Sequence, residues 1–140
     1  MKPKGIIVSG YFNPLHRGHI ELFHKAKKLG EILIVIVNND YQRHLKGSKE
    51  FMKEDERLLI INELAVTDKV FLSIDKDKTV SLTLENIYKD CNNKFELYFA
   101  NGGDQNNKNI PEINLCNSLG IKLIDNLGDK IQSSSWLLKK

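Results

Sequence analysis

Two histidines, two glycines and a proline lie close together in the stretch GYFNPLHRGH, residues 10–19. His16 and His19 are three residues apart, and Gly18 directly precedes the second histidine. An imidazole can donate a hydrogen bond to an anionic oxygen, and a glycine lets the backbone approach a ligand closely. If a helix begins here, its first N–H groups, unpaired and facing outward, also attract phosphate. The stretch therefore predicts a surface turn that binds a polyphosphate and stabilises charge developing on its oxygens during a transfer.

Other interpretations of this stretch stay open. His16, His19 and His24 could ligate zinc, although no carboxylate or cysteine set completes such a site and HExxH is absent. A glycine-rich turn with incidental histidines can also be purely structural. GxGxxG is missing, and no GKS or GKT follows, so a dinucleotide fingerprint and a P-loop are both excluded.

The elements that must position these residues are indicated by alternating apolar runs and helical patterns. The runs GIIVS at 5–9 and ILIVIV at 32–37 are β-branched and apolar on both faces, which is typical of parallel strands covered by helices. Between them, apolar residues recur at helical spacing from Ile20 to Leu29, and Gly30 follows where a helix would end. Further helices are expected near 53–65, 81–89 and 111–119, and further strands near 69–72, 95–100 and 121–124.

This order of strands and helices predicts an α/β fold, a Rossmann-like, doubly wound sheet of five parallel strands in a single domain, residues 1–140. In such sheets ligands bind beyond the carboxyl ends of the strands, near the point where the strand order reverses. The 10–19 stretch follows the first strand, so it lies where a ligand is expected.

Composition limits the possible partners. The chain has 140 residues, 41% of them hydrophobic, and a formal net charge of +3, which suits an anionic small molecule but not a nucleic acid. The apolar runs are too short to cross a bilayer, and MKPKGIIVSGYF lacks the features of a signal peptide, so we expect no membrane partner. Cys91 and Cys116 have neither metal-ligand nor CxxC spacing, and a reducing cytoplasm is the expected location.

The stretch GYFNPLHRGH resembles the GxFDxxHxGH signature of the nucleotidyltransferase superfamily that includes the cytidylyltransferases and the heptose-phosphate adenylyltransferases. The resemblance implies that His16 and His19 are catalytic. It also implies that the nucleotide is bound by Gly10, Tyr11, Phe12, Asn13 and Gly18. Asn13 stands where an Asp is usual in this subgroup, so any role of that carboxylate is not carried over.

The segment NNDYQRHLKGSKEFMKEDERLLI, residues 38–60, is similar to the family's stretch in which an Asp is followed by a loop lysine and then by a helical arginine. By this resemblance the catalytic Lys46 reaches the triphosphate or the acceptor phosphate from a loop, and Arg57 lies near the nucleotide. Lys49, in the same loop, is expected to be a solvated surface lysine.

Two later segments also match the family. In FANGGDQNN, Gly102 and Asp104 resemble the short GxD motif that contacts the nucleotide and helps to organise the metal–triphosphate complex, so Asp104 is an indirect metal contact. In KIQSSSWLL, the residues Ser133, Ser134 and Ser135 resemble a Ser/Thr-rich segment that opens a final helix, where hydroxyls cap the helix or bind phosphate.

The activity implied by the resemblance is nucleotidyl transfer. An acceptor phosphate attacks the α-phosphorus of a nucleoside triphosphate in line, and pyrophosphate leaves, with Mg²⁺ and fixed donors supporting the transfer. CTP is favoured as the donor. The expected acceptor is a small phosphorylated alcohol or sugar, whose carbon skeleton is recognised by the region 73–83. An ATP-dependent adenylyltransferase for a sugar phosphate such as heptose 1-phosphate is the alternative, and a non-catalytic nucleotide-binding regulatory module is an alternative of another class. A homodimer is also expected.

Overall fold

Strands and helices alternate along the chain in the computed structural model, which describes residues 2–102 and 112–127. In chain order the elements are β1 (Lys4–Gly10), α1 (Arg17–Lys28), β2 (Ile32–Val37), α2 (Asp40–Lys46), α3 (Glu54–Glu63), β3 (Lys69–Leu72), α4 (Ser81–Cys91), β4 (Glu96–Gly102), α5 (Ile113–Leu119) and β5 (Lys122–Leu127).

All five described strands are parallel and form one sheet in the order β3-β2-β1-β4-β5. The order reverses at β1, which pairs with β2 on one side and β4 on the other. The predicted Rossmann-like fold is confirmed. The N–H of Asn38 donates to the carbonyl of Gly10 at 2.9 Å, so the segments leaving β1 and β2 stay paired beyond the strands. The turn after β1 therefore lies at the reversal point, where such folds bind ligands.

The core has two halves, one on each face of the sheet. On one face Ile6 packs with Phe23 of α1 and Ile61 of α3, and all three are 0% exposed. On the other face Ile7 packs with Leu84 of α4, and both are also 0% exposed. Full burial of one such side chain contributes about 1.5–3 kcal/mol to the free energy of unfolding. Because β1 is packed from both faces, it is a rigid support for the turn that follows it.

The predicted helices and strands are all present among the described residues, and their bounds differ from the prediction by no more than three residues. The structure also contains one helix that the sequence does not predict: α2 lies where a loop is expected. Lys46 is therefore not a loop residue: it is the last residue of α2, and Gly47 ends that helix with a left-handed φ of 81°. The helix has only seven residues, too few for an apolar stripe to reveal it.

Candidate active site

The turn after β1 is held in shape by Phe12. This residue has a positive φ of 52°, is 3% exposed, and its ring lies edge-on to the rings of His19 and Phe23, with centroids 4.9 and 5.3 Å away. The ring also covers Gly10, where an added Cβ would lie 2.8 Å from Cζ of Phe12. Gly10 therefore has to be a glycine if the ring is to stay in place, and the ring in turn supports His19.

His16 and His19 cap the start of α1 reciprocally. Nδ1 of His16 accepts the N–H of Gly18 at 3.0 Å, and Nδ1 of His19 accepts the N–H of His16 at 3.1 Å. The two imidazoles are stacked, with centroids 3.8 Å apart and planes inclined by 26°. Two expectations are thereby corrected: the N–H of Gly18 is not left unpaired, and His19 lies within α1 against Phe12 rather than on a surface turn.

This capping decides the protonation state of both histidines. A nitrogen that accepts a backbone N–H cannot carry a proton, so in each neutral ring the proton is on Nε2. Burial lowers the pKa of His16 below its usual 6.5. Burial, and secondly the neighbouring His16, lower the pKa of His19 to about 3. At neutral pH both rings are therefore uncharged, and each carries its proton on Nε2.

Arg57 lies beneath the turn and is 0% exposed. Its Nη1 donates to the carbonyls of Tyr11 and Asn38 at 2.7 and 2.6 Å, and its Nε donates to that of Met52 at 3.1 Å. Nη2 forms an ion pair with Asp40 at 2.6 Å, which compensates the buried charge. Four of the five N–H groups of the guanidinium thus donate hydrogen bonds to the protein itself. The structure assigns Arg57 the role of joining four segments of the site, and direct contact with a nucleotide stays a prediction.

Asn13 joins the turn to residues 47–53, which we call the 47–53 loop. Its Nδ2 donates to the carbonyl of Lys49 at 2.7 Å. Its Oδ1 accepts the N–H groups of Phe51 and Met52, both at 2.9 Å. The loop therefore lies beside the histidine turn.

Lys46 reaches the same turn from the end of α2. Its Nζ is 4.5 Å from the centroid of the Tyr11 ring, a cation–π contact. The described residues thus bring nine predicted site positions to one place at the carboxyl end of β1: Gly10, Tyr11, Phe12, Asn13, His16, Gly18, His19, Lys46 and Arg57.

A buried polar network behind α2 was missed by sequence reasoning. Gln42 is 0% exposed, and its Nε2 donates to the carbonyls of Asp77 and Thr79 at 2.8 and 2.7 Å. Its Oε1 accepts from Asn38, from the N–H of Asn39 and from the hydroxyl of Ser73. The network fixes the segment after β3, where the acceptor is expected.

A capping box, Asn39 followed three residues later by Gln42, is the signal that could have revealed α2.

The start of α4 is held by Asp75, which is 1% exposed. Its carboxylate accepts the N–H groups of Leu82 and Thr83 at 2.7 and 3.0 Å and the Thr83 hydroxyl at 2.5 Å. This contact closes the segment between β3 and α4 at its far end, so both ends of that segment are fixed.

Several predicted site residues are not tested by the geometry. Gly102 is the last residue of β4, whereas Asp104, Ser133, Ser134 and Ser135 lie outside the described residues. Within residues 2–102 and 112–127, no three His, Cys, Asp or Glu side chains are grouped so as to hold a metal ion. No helix in the same part of the chain is long and apolar enough to cross a membrane.

Comparison with known proteins gives consistent matches. The family model described as cytidylyltransferase-like matches residues 7–135. The bifunctional protein HldE of Blochmanniella floridana is 38% identical over 109 residues, which are 76% of this chain and 21% of that protein. The FAD synthase of Thermoplasma volcanium is 38% identical over 77 residues, 54% of each chain. The matches thus span only part of these two relatives.

Among solved structures, the lipopolysaccharide core biosynthesis protein from Thermoplasma volcanium is similar in fold. It superposes with a TM-score of 0.67 at 25% sequence identity, over 87% of this chain and 94% of that chain.

Proposed function

The chain belongs to the cytidylyltransferase-like family, and from this premise we propose that it is a nucleotidyltransferase. It transfers a nucleoside monophosphate from a nucleoside triphosphate to the phosphate of a small phosphorylated alcohol or sugar, and it releases pyrophosphate. The observation that carries the proposal is the reciprocal capping of His16 and His19, which fixes both rings at the start of α1 with their protons on Nε2.

In the proposed mechanism the two imidazoles act as neutral donors. The acceptor phosphate attacks the α-phosphorus, and negative charge grows on the phosphate oxygens and on the departing pyrophosphate. Hydrogen bonds from His16 and His19 strengthen as that charge grows, so they favour the transition state over the bound substrate. No proton has to move, because the acceptor phosphate is already a competent nucleophile.

Lys46 supplies the positive charge that the neutral histidines do not. It lies at the end of α2 and contacts the ring of Tyr11. A flexible ammonium can follow the charge from the triphosphate to the leaving pyrophosphate. This role suits Lys46, because the residue is exposed and its backbone is held at the end of a helix.

Mg²⁺ is proposed to arrive with the triphosphate. The side chains of His16, His19 and Lys46 carry N–H and ammonium donors, which fit phosphate oxygens and not a cation, so the ion would be held by phosphate oxygens, with Asp104 as an indirect contact. When bound, Mg²⁺ neutralises charge on the phosphates and orients them.

CTP is the favoured donor, and ATP is the second candidate. The observation in favour of ATP is the 38% identity to an FAD synthase, whose name implies an adenine dinucleotide product. The segment after β3, fixed by Gln42 and Asp75, is proposed to contact the acceptor.

The proposal is tested by mixing the protein and Mg²⁺ with CTP or ATP and a panel of phosphorylated alcohols, amino alcohols and sugar 1-phosphates. We expect acceptor-dependent release of pyrophosphate with one of the two nucleotides. Nucleotide binding without pyrophosphate release from any pair would instead support a non-catalytic regulatory module.

A further inference from the structure

We propose that Asn13 is a positioning residue of the nucleotide site, whose amide holds the 47–53 loop against the histidine turn before substrate binds. The functional part of this inference, an effect on nucleotide affinity, rests on the proposed function. The structural part, an ordered loop in the nucleotide-free protein, can be tested without turnover.

The contacts of Asn13 use both halves of its amide. Nδ2 donates to Lys49 at 2.7 Å, and Oδ1 accepts from Phe51 and Met52, both at 2.9 Å. A carboxylate at this position could accept from the same two N–H groups, but its second oxygen would face the carbonyl oxygen of Lys49. Two acceptors at that distance repel each other. The geometry therefore requires an amide, and this accounts for Asn where the signature usually has Asp.

Hydrogen bonds keep the loop in place. Phe51, its largest apolar side chain, is 64% exposed. Arg43 donates to the carbonyl of Ser48 at 2.5 Å, and Arg57 donates to that of Met52 at 3.1 Å. These two contacts join the loop to α2 and α3, whereas the contacts of Asn13 join it to the turn. Removing Asn13 should therefore loosen the loop from the histidine turn without unfolding the protein, since Arg57 still donates to both Tyr11 and Met52.

The consequence for the site concerns the position of the loop. The loop begins directly after Lys46, and Asn13 holds it through the backbone carbonyl of Lys49, so the attachment keeps the backbone of Lys49 beside the turn that is proposed to bind the triphosphate. A loop already in place costs less conformational entropy when the nucleotide binds. Loss of the attachment should raise the KM for the nucleotide more than it lowers kcat, because both histidines stay in position.

The structural part is tested by amide hydrogen exchange in the nucleotide-free protein, measured relative to the amide of Ile34 in β2. In Asn13→Ala we expect the Phe51 and Met52 amides to exchange about tenfold faster, since both lose their acceptor. In Asn13→Asp those two amides should stay protected, while trypsin should cleave faster after Lys49. Unchanged relative exchange in Asn13→Ala would overturn the proposal, as would unchanged cleavage in Asn13→Asp.

The matched control is Asn92→Asp. Asn92 also donates its amide to a backbone carbonyl, that of Tyr88 at 2.6 Å, but at the end of α4. This variant should leave the exchange of Phe51 and Met52 unchanged. If Asn92→Asp accelerated the exchange of the Phe51 and Met52 amides as much as Asn13→Ala does, the loop would be responding to general destabilisation. That result would contradict a specific role of Asn13.

The functional part is tested by steady-state kinetics with CTP or ATP, whichever the wild type uses. Asn13→Ala should raise the KM for that nucleotide about tenfold and change kcat by less than about threefold. A fall in kcat at unchanged KM would overturn the positioning role. Absence of turnover in the wild type would defeat the proposed function, and the exchange experiment would still decide whether Asn13 orders the loop.

Discussion

The protonation state of the two histidines is the main question at the scale of single residues. Each Nδ1 accepts a backbone N–H, and burial lowers the pKa of both rings, that of His19 to about 3. Protonation of either Nδ1 would replace an accepted hydrogen bond by a repulsion between two N–H groups. When the histidines become charged, the cap of α1 is therefore lost, and with it the contacts that hold the two rings in position.

We predict that stability falls as the pH is lowered from 6.5 to 5 because of His19. The folded-state pKa, about 3, lies below the unfolded value of 6.5, so in this range the unfolded state binds the additional proton. Stability then rises with pH by up to about 1.4 kcal/mol per pH unit for each such proton. Urea unfolding of the wild type and of His19→Asn at the two pH values measures this contribution. A variant with the same pH dependence as the wild type would contradict it.

At the scale of elements, α2 connects the proposed nucleotide side and the proposed acceptor side of the site. Its end presents Lys46 to Tyr11, while Gln42 holds the segment after β3 from inside the helix. The ion pair between Asp40 and the buried Arg57 fixes its start. One short helix thus sets the position of three parts of the site.

Lys46, at the end of α2, should contribute more to turnover than Lys49 in the following loop. Lys46→Ala should lower kcat strongly, by about 10²-fold or more, and this loss should persist at high salt because the lysine acts directly on the triphosphate. Lys49→Ala should have a small effect that fades as salt rises, since exposed charges are screened over about 8 Å at physiological ionic strength. Kinetics of both variants at low and high salt compare them. Equal, small and salt-sensitive effects would remove Lys46 from the catalytic residues.

Gln42→Ala should destabilise the protein by about 2–4 kcal/mol. The substitution leaves the carbonyls of Asp77 and Thr79 and the hydroxyl of Ser73 without their buried partner. Urea unfolding measures the loss, and Asn62→Ala on the exposed side of α3 is the control, expected within about 0.5 kcal/mol of the wild type. A Gln42 variant as stable as that control would show that the network does not hold the segment.

The sheet could be predicted from the sequence, whereas α2 and the contacts of Arg57 could not. Apolar β-branched runs specify buried parallel strands wherever they occur along the chain. A seven-residue helix has too little periodicity, and its evidence is confined to its ends, at Asn39, Gln42 and Gly47. Three partners of Arg57 are backbone carbonyls, two of them in distant segments at Tyr11 and Asn38, and no sequence motif encodes such contacts.

At the scale of the whole molecule, several large apolar side chains are more than half exposed. They are Tyr41, Phe51, Leu59, Ile74 and Leu82, exposed by 55%, 64%, 61%, 52% and 54%. We predict a homodimer at micromolar concentration, since burial of such side chains favours association. Sedimentation velocity tests this, and a monomer alone throughout the micromolar range would contradict it.

The central claim is that the His16–His19 pair carries nucleotidyl transfer, and pyrophosphate release by His16→Ala tests it most directly. The matched control is His24→Ala, because His24 is an exposed histidine of the same helix. With CTP or ATP and the acceptor that the wild type uses, the control should keep the wild-type rate, and His16→Ala should be slower by about 10²–10³-fold while still folded by circular dichroism. Equal rates for His16→Ala and the wild type would contradict the account.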